Sequence, residues 1–258
     1  MAPALHDNVS RVKRINRLGI TTFVGLRSAD VVLQYGLLHW GWGAKLIESF
    51  GGHPLPRNQV VSTLTEQLLP YHSIVLLMAV GSSLKQIITM LAVSEQDTPP
   101  SSALVIALFN TVFNFINTVF SLWEYTSKAP AHTDPIIPGW SQSSLTVALY
   151  MAGILTELVS ELQRTYFKKQ LANSGKPYAN GLFSLARHIN YGGYTIWRAM
   201  YALYCGGWPW GLTVFSFFFY DFATRGVPVL DIYLTERYGE QWKDIKLRVP
   251  YRLIPGVY

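Results

Sequence analysis

Apolar residues along this chain run in long blocks rather than alternating with period two or falling on one stripe of short helices. Blocks of about 20 residues predict helices that cross a bilayer, at 1.5 Å of rise per residue. The first covers about Leu18 to Trp42 and is interrupted by Arg27 and Asp30. The second, Tyr71 to Val93, contains one charge, Lys85, and the third, Ala103 to Trp123, contains none. The fourth runs from Ser144 to Leu162, with Glu157 and Glu161 near its end. The last, Tyr191 to Thr224, is too long for one crossing, and Gly206-Gly207-Trp208-Pro209 divides it, predicting a turn and a hairpin of two helices. The expected fold is therefore an all-α, multi-pass membrane protein of about six spans forming one domain, 1–258.

Composition agrees. Of 258 residues, 50% are hydrophobic and only 14% charged, where a soluble domain carries about 25%. The single cysteine, Cys205, excludes a disulfide scaffold. The net charge of +6 does not read as a nucleic-acid surface, because the basic residues flank the apolar blocks. Arg11, Lys13, Arg14 and Arg17 precede the first span, and Arg164 to Arg187 and Arg225 to Tyr258 are rich in Lys and Arg. The intervening loops hold only Lys45, Arg57 and Lys128, an asymmetry that puts both termini in the cytosol. No signal-peptide pattern follows the polar N-terminus, so the first span is expected to be retained.

Polar residues inside the spans carry the chemistry. Asn110, Asn114, Asn117, Ser121 and Glu124 share one helical face, which reads either as interhelical hydrogen-bonding or as the wall of a cavity for a substrate oxygen. Glu157, Glu161, Arg164 and Lys168 form a second stripe that can neutralise itself or meet a ligand, and Arg27 with Asp30 is expected to self-pair. From Arg187 the chain reads Arg-His-Ile-Asn-Tyr-Gly-Gly-Tyr-Thr-Ile-Trp-Arg, so Arg187, Asn190 or Tyr191, Tyr194, Arg198 and Tyr201 share a face. Guanidinium forks and phenols at a span mouth suit a phosphate or carboxylate, or anchor the helix at the headgroups. No second His or Cys stands at metal-ligand spacing, so no metal is expected.

Three blocks together carry a resemblance: Arg187 to Gly193; Glu236-Arg237-Tyr238-Gly239-Glu240-Gln241-Trp242; and the ending Val249-Pro250-Tyr251-Arg252-Leu253-Ile254-Pro255-Gly256-Val257-Tyr258. They are similar to the C-terminal region of the membrane reductase superfamily that includes steroid 5-alpha-reductases and sterol C14 and C24(28) reductases, closest to its little-characterised branch. The stretch Glu161-Leu162-Gln163-Arg164 with Phe167-Lys168 resembles that superfamily's upstream block, so the likeness covers about 157–258 and leaves 1–156 as variable, substrate-side spans.

The resemblance implies NADPH in a cytosol-facing cavity, an endoplasmic reticulum location, and hydride transfer to a carbon–carbon double bond of a lipid-like substrate. Carried over, the cofactor residues are Gln163, Arg164 and Lys168; Arg187, His188, Asn190 and Tyr191; and Tyr238, Trp242, Tyr251 and Arg252. Ile189 replaces the usual proline, Tyr194 stands where relatives have a carboxylate, and only Arg225 and Asp231 can substitute for the dense charge pattern of the C14 reductases. No Gly-x-Gly-x-x-Gly fingerprint is present, which excludes a Rossmann site.

Reduction of an enone puts charge on oxygen and needs a proton donor, for which Tyr125, Glu124 and Tyr150 are the candidates. The alternatives are a membrane methyltransferase using S-adenosylmethionine, whose relatives share the Arg-His-Pro-x-Tyr-x-Gly block, and a non-catalytic lipid-binding protein.

Overall fold

The computed structural model describes residues 12–55, 71–129, 135–137 and 140–258; Arg11 and Arg57 of the charge argument lie outside them. Eight α-helices are seen among these residues: α1 (Arg17–His39), α2 (Trp42–Ser49), α3 (Tyr71–Ile88), α4 (Pro100–Leu122), α5 (Gln142–Lys169), α6 (Ile189–Asp221), α7 (Val227–Tyr238) and α8 (Glu240–Arg248). The all-helical expectation needs one small amendment, an antiparallel pair of short strands, β1 (Pro135–Ile137) and β2 (Trp140–Ser141).

The helix ends follow local chemistry. Asn16 caps α1, its side-chain oxygen accepting from the Gly19 amide at 3.0 Å. At the other end the backbone turns through Gly41, whose φ of 81° is left-handed. Pro100 sits in the first turn of α4, where its missing N–H costs nothing, and Ser141 caps α5 by accepting from Ser144 at 3.1 Å. α3 continues as a π-helical turn, Thr89–Val93.

Among the described residues, three helices are long and apolar enough to cross a membrane: α3 with its π turn, α4 and α5. That is fewer than the six spans expected. Arg27 and Asp30 interrupt the apolar run of α1, while glycine, tyrosine and tryptophan are frequent through α6. Three such helices suit an integral membrane protein. Within α6, Gly207 has φ 73° and ψ −171°, which no helix tolerates, and the chain doubles back there. As a result Tyr191 stacks on Phe222 at 4.4 Å, although 31 positions separate them.

The bundle has two chemically different ends. One gathers Lys13, which pairs with Glu95, the last turn of α5, the start of α6 and everything after Asp221. The opposite end gathers α2, residues 53–55 and 123–128, and the Gly207 turn, against which Lys128 rests. α5 and α6 meet closely at Gly153 and Gly193: a Cβ on Gly193 would lie 2.7 Å from the Gly153 carbonyl oxygen and 2.8 Å from the Glu157 amide. Around this crossing Val75, Met78, Ala79, Tyr150, Ile154, Trp197 and Tyr201 form the main core.

Six charged side chains are buried among the described residues: Arg27, Lys85 and Arg198 against Asp30, Glu157 and Glu161. Their charges cancel, which burial demands. Arg27 pairs with Asp30 at 3.0 Å as expected, and Ser83, Asn114 and Gln34 complete their shell. Lys85 of α3 bridges Glu157 and Glu161 of α5, 3.3 Å from the latter.

Candidate functional site

The basic end opens into a two-lobed cleft. Its inner lobe, about 390 Å³, lies between α5, the start of α6, α7 and α8. Its outer lobe, about 560 Å³, extends over α5 to Lys13, Ser94 and Gly175. Gln96, Glu161, Arg164, Lys168, Tyr233 and Tyr238 line both lobes, so they are one continuous space.

The sequence folds this way because the tail clasps the mouth of α6. Backbone amides of Arg187 and His188 donate to the carbonyls of Tyr251 and Arg252 at 2.9 and 2.8 Å. The Arg187 guanidinium donates to the carbonyls of Val249 and Pro250 at 2.6 and 3.1 Å. Leu253 is fully buried beneath Gly192, where any Cβ would strike its carbonyl. Two of the three sequence blocks that carry the resemblance, the one from Arg187 and the chain's ending, are therefore halves of one interlock.

Of the residues carried over, Arg164, Lys168, Arg187, His188, Asn190, Tyr191, Tyr238 and Trp242 line the inner lobe. The others stand one step back. Gln163 accepts from the Leu182 amide at 3.0 Å and holds the 181–184 turn. Asp231 accepts from the Trp242 indole at 2.8 Å and from Lys246 at 3.4 Å, setting the tryptophan's angle. Tyr251 and Arg252 belong to the clasp, where Arg252 bonds the Tyr258 hydroxyl at 2.8 Å. Arg225 pairs with Asp221 and lines a different pocket.

None of the three proton-donor candidates lines the cleft. Glu124 and Tyr125 are exposed at the opposite end, Tyr125 at 87%. Tyr150 is buried in the core and donates to the Met78 carbonyl at 2.7 Å. Arg237, which stands in the second block but is not among the residues carried over, lines the cleft together with Tyr233, Tyr178 and Lys13.

The electrostatics of the cleft are one-sided. Five basic side chains line it, Lys13, Arg164, Lys168, Arg187 and Arg237, against Glu95 and Glu161. Glu95 is taken by Lys13 and Glu161 by Lys85, and among the described residues Arg164, Lys168, Arg187 and Arg237 form no ion pair. Other partners hold them instead: Arg164 lies 5.3 Å from the Phe183 ring centre, Lys168 donates to the Tyr238 hydroxyl at 2.8 Å, Arg237 lies 5.6 Å from the Tyr238 ring centre, and Arg187 is held by the tail carbonyls. His188 is buried between Tyr191 and Trp242. Burial, then the nearby Arg187 and Arg164 charges, push its pKa down to about 3, so it is neutral. Among the described residues its Nε2 and the Nε of Arg187 find no hydrogen-bond partner, two buried polar atoms on residues that line the lobe.

A second chamber of about 530 Å³ adjoins the cleft, sharing Thr89, Ser94 and Gln96 with its outer lobe. Its walls are mostly apolar (Phe23, Met90, Val105, Ile106, Phe109, Phe222), with Lys85, Gln86, Asn110 and Tyr194 at the back. This resolves the asparagine face of α4. Asn114 bonds Asp30 at 2.7 Å and Asn117 accepts from Trp210 at 2.7 Å, both joining helices, whereas Asn110 lines this chamber. The Glu157–Lys168 stripe divides likewise: Glu157 and Glu161 neutralise Lys85, whereas Arg164 and Lys168 face the cleft. No cluster able to hold a metal ion occurs among the described residues.

Residues 88–249 match the family described as "Protein of unknown function (DUF1295)". A probable O-methyltransferase, ustE, of Ustilaginoidea virens is 34% identical over 230 residues, covering 87% of this chain and 81% of that protein. A probable 7-dehydrocholesterol reductase of Acanthamoeba polyphaga mimivirus is 33% identical over 96 residues, 34% of this chain and 20% of that protein.

Proposed function

The chain belongs to the DUF1295 family, and on that premise we propose that it is a membrane enzyme using NADPH to reduce a carbon–carbon double bond in a lipid-like substrate. The observation that carries this reading is the cleft with five basic side chains, four of them without an acidic partner among the described residues. A dinucleotide with a 2′-phosphate brings several negative charges and two flat rings, and convergent Arg and Lys beside Tyr191, Tyr178 and Trp242 complement both. The reductase-type blocks and the similarity to a probable 7-dehydrocholesterol reductase support the same chemistry.

NADPH supplies a hydride when bound. Arg164, Lys168, Arg187 and Arg237 would hold its phosphates, and the unpartnered His188 Nε2 and Arg187 Nε would bond its polar edges. The adjoining chamber would hold the substrate, its apolar walls keeping water out. Reduction also consumes a proton, and Lys85 and Tyr194 are among the protic side chains lining that chamber. Lys85 is tied through Glu161 to the cleft wall, so a proton spent at Lys85 Nζ can be replaced from the aqueous side. α1 and the two halves of α6 complete six crossings in this reading, the last two as a hairpin. The basic end then faces the cytosol from the endoplasmic reticulum membrane.

Methyl transfer from S-adenosylmethionine is the second reading, favoured by the relative named as a probable O-methyltransferase. The charge of the cleft speaks against it, because that cofactor, with a sulfonium, an ammonium and one carboxylate, is a net cation that five cationic side chains would repel. Calorimetry on protein in nanodiscs separates the two. Saturable binding of NADPH without binding of S-adenosylmethionine is expected, and the reverse order overturns the reductase reading.

A further inference from the structure

One wall of the cleft comes from the other end of the chain. Residues 12–16 run beside 94–97, the connection between α3 and α4, as a strap. The Asp97 amide donates to the Val12 carbonyl at 2.8 Å, and Lys13 and Gln96 form an antiparallel bridge. Asn16 anchors the strap at both sides, accepting from the Gly19 amide through Oδ1 and donating through Nδ2 to Asp97 at 3.1 Å. Just beyond, α1 lies so close to the connection that a Cβ on Gly19 would stand 1.8 Å from the Thr98 carbonyl oxygen. Backbone, cap and close packing thus fix the strap without help from the Lys13 side chain.

What the strap delivers is that side chain. Lys13 lines the outer lobe with Arg164, Lys168 and Arg237, and it precedes residues 88–249, the part of the chain that matches the family. Its ion pair is with Glu95, and the two side chains are 72% and 45% exposed. Exposed pairs of this kind contribute little, because water and salt screen them and two long side chains must be held still. Lys13 can therefore exchange Glu95 for a stronger anion at small cost, and Glu95 is exposed enough to stay hydrated when released. A phosphate is such an anion. It forms charge-assisted hydrogen bonds with several cations at once and relieves their mutual repulsion in the lobe.

We propose that Lys13 is a ligand-binding residue of the cleft, which leaves Glu95 to contact a phosphate of the bound molecule. Glu95 holds the ammonium in place until the ligand displaces it. The proposal rests on the reading of the cleft as the site of a phosphate-bearing cofactor, and it extends that site to the N-terminal strap.

The test is calorimetry on the full-length protein in phosphatidylcholine nanodiscs, titrated with NADPH, NADH and inorganic pyrophosphate. Lys13→Gln is expected to weaken NADPH about fivefold, and Lys13→Arg to stay within about twofold of wild type. Glu95→Gln breaks the same ion pair from its other side. It is expected to bind NADPH at least as tightly as wild type, because Lys13 is freed and a repelling carboxylate is gone. An ion pair with only a structural role would make the two substitutions act alike. Weaker binding in Glu95→Gln as well, or unchanged binding in Lys13→Gln, overturns the proposal. A loss confined to NADPH puts Lys13 at the 2′-phosphate, and an equal loss with NADH puts it at the pyrophosphate bridge; either supports the proposal. Pyrophosphate binding that depends on Lys13, without NADPH binding, sinks the reductase reading alone. NADPH binding that Lys13→Gln leaves unchanged sinks the Lys13 site alone, and binding of neither probe sinks both.

Discussion

Removing Lys85 should be more damaging than removing any other single charge at the α3–α5 contact. The lysine sits between two carboxylates of α5, one turn apart, with side-chain exposures of 5% for Lys85, 7% for Glu157 and 12% for Glu161. In Lys85→Met the two carboxylates face each other across about 6 Å. At an effective dielectric near 20 their repulsion is about 3 kcal/mol. Each also loses its counter-ion, and breaking a buried pair from one side costs about 3–5 kcal/mol. A loss of stability in that range is expected from urea unfolding in mild detergent.

The second substitutions make the reasoning sharp. Glu161 lies at the cleft wall and accepts from Thr89 at 3.2 Å, so it can be left charged and partly hydrated. Glu157 is deeper, with the Trp197 indole at 2.6 Å as its other side-chain partner among the described residues. Lys85→Met with Glu157→Gln should therefore recover more than half of the loss, and Lys85→Met with Glu161→Gln clearly less. Equal recovery by the two double variants would refute the depth argument. A Lys85→Met protein within about 1 kcal/mol of wild type would refute the claim that the pair is buried in a low dielectric.

Three further outcomes are expected. His188 is neutral in the folded chain down to about pH 3, whereas in the unfolded chain it titrates near 6.5. Above pH 6.5 it adds no slope; below that only the unfolded state takes the proton, so stability falls by about 2 kcal/mol from pH 6.5 to 5, and His188→Gln should flatten that part of the unfolding curve. Gly193→Ala, whose Cβ would meet backbone atoms of α5 at 2.7 and 2.8 Å, should cost about 3 kcal/mol, while Gly25→Ala, with open space around it, should cost nothing; equal melting temperatures for the two would dismiss the close crossing. Asp231→Ala frees the Trp242 indole, so it should weaken NADPH about tenfold and shift tryptophan emission with the fold intact, and unchanged affinity would leave Trp242 without a role.

Long apolar runs were legible because a bilayer-length helix needs little else: the expected Tyr71–Val93 matches α3 with its π turn, and Ala103–Trp123 lies within one residue of the end of α4. The reach of α5 was not, since hydropathy fades at Leu162 while the helix runs on to Lys169 on charged turns that shape the cleft. Most of the cleft was legible as blocks of sequence, yet their reason was not. Periodicity places residues on a helix face, but it cannot show that the backbone of 251–252 receives the amides of 187–188.

The meeting of Gln86 and Arg198 on Asn110 was hidden for the same reason. Gln86, Asn110 and Arg198 come from three helices, and which faces meet is decided by tertiary packing at residues such as Gly153 and Gly193. The proton-donor candidates were a different matter, since the chain's own order argues against two of them. α4 begins beside Gln96 at the basic end and runs some 23 residues, about 35 Å, so Glu124 and Tyr125 must emerge at the other end. A residue that is to meet both the cleft and a lipid has to come from the Gln86–Asn110 level, one to three turns from the basic end. Lys85 and Tyr194 line the chamber there, while its other ionisable lining residue, Arg225, is paired with Asp221. The burial of Lys85 is tolerated only because Glu157 and Glu161 share its charge. The same constraint that makes a membrane interior hostile to charge thus ties proton chemistry at this level to the Lys85 cluster, since the other buried pair described, Arg27 with Asp30, does not line the chamber.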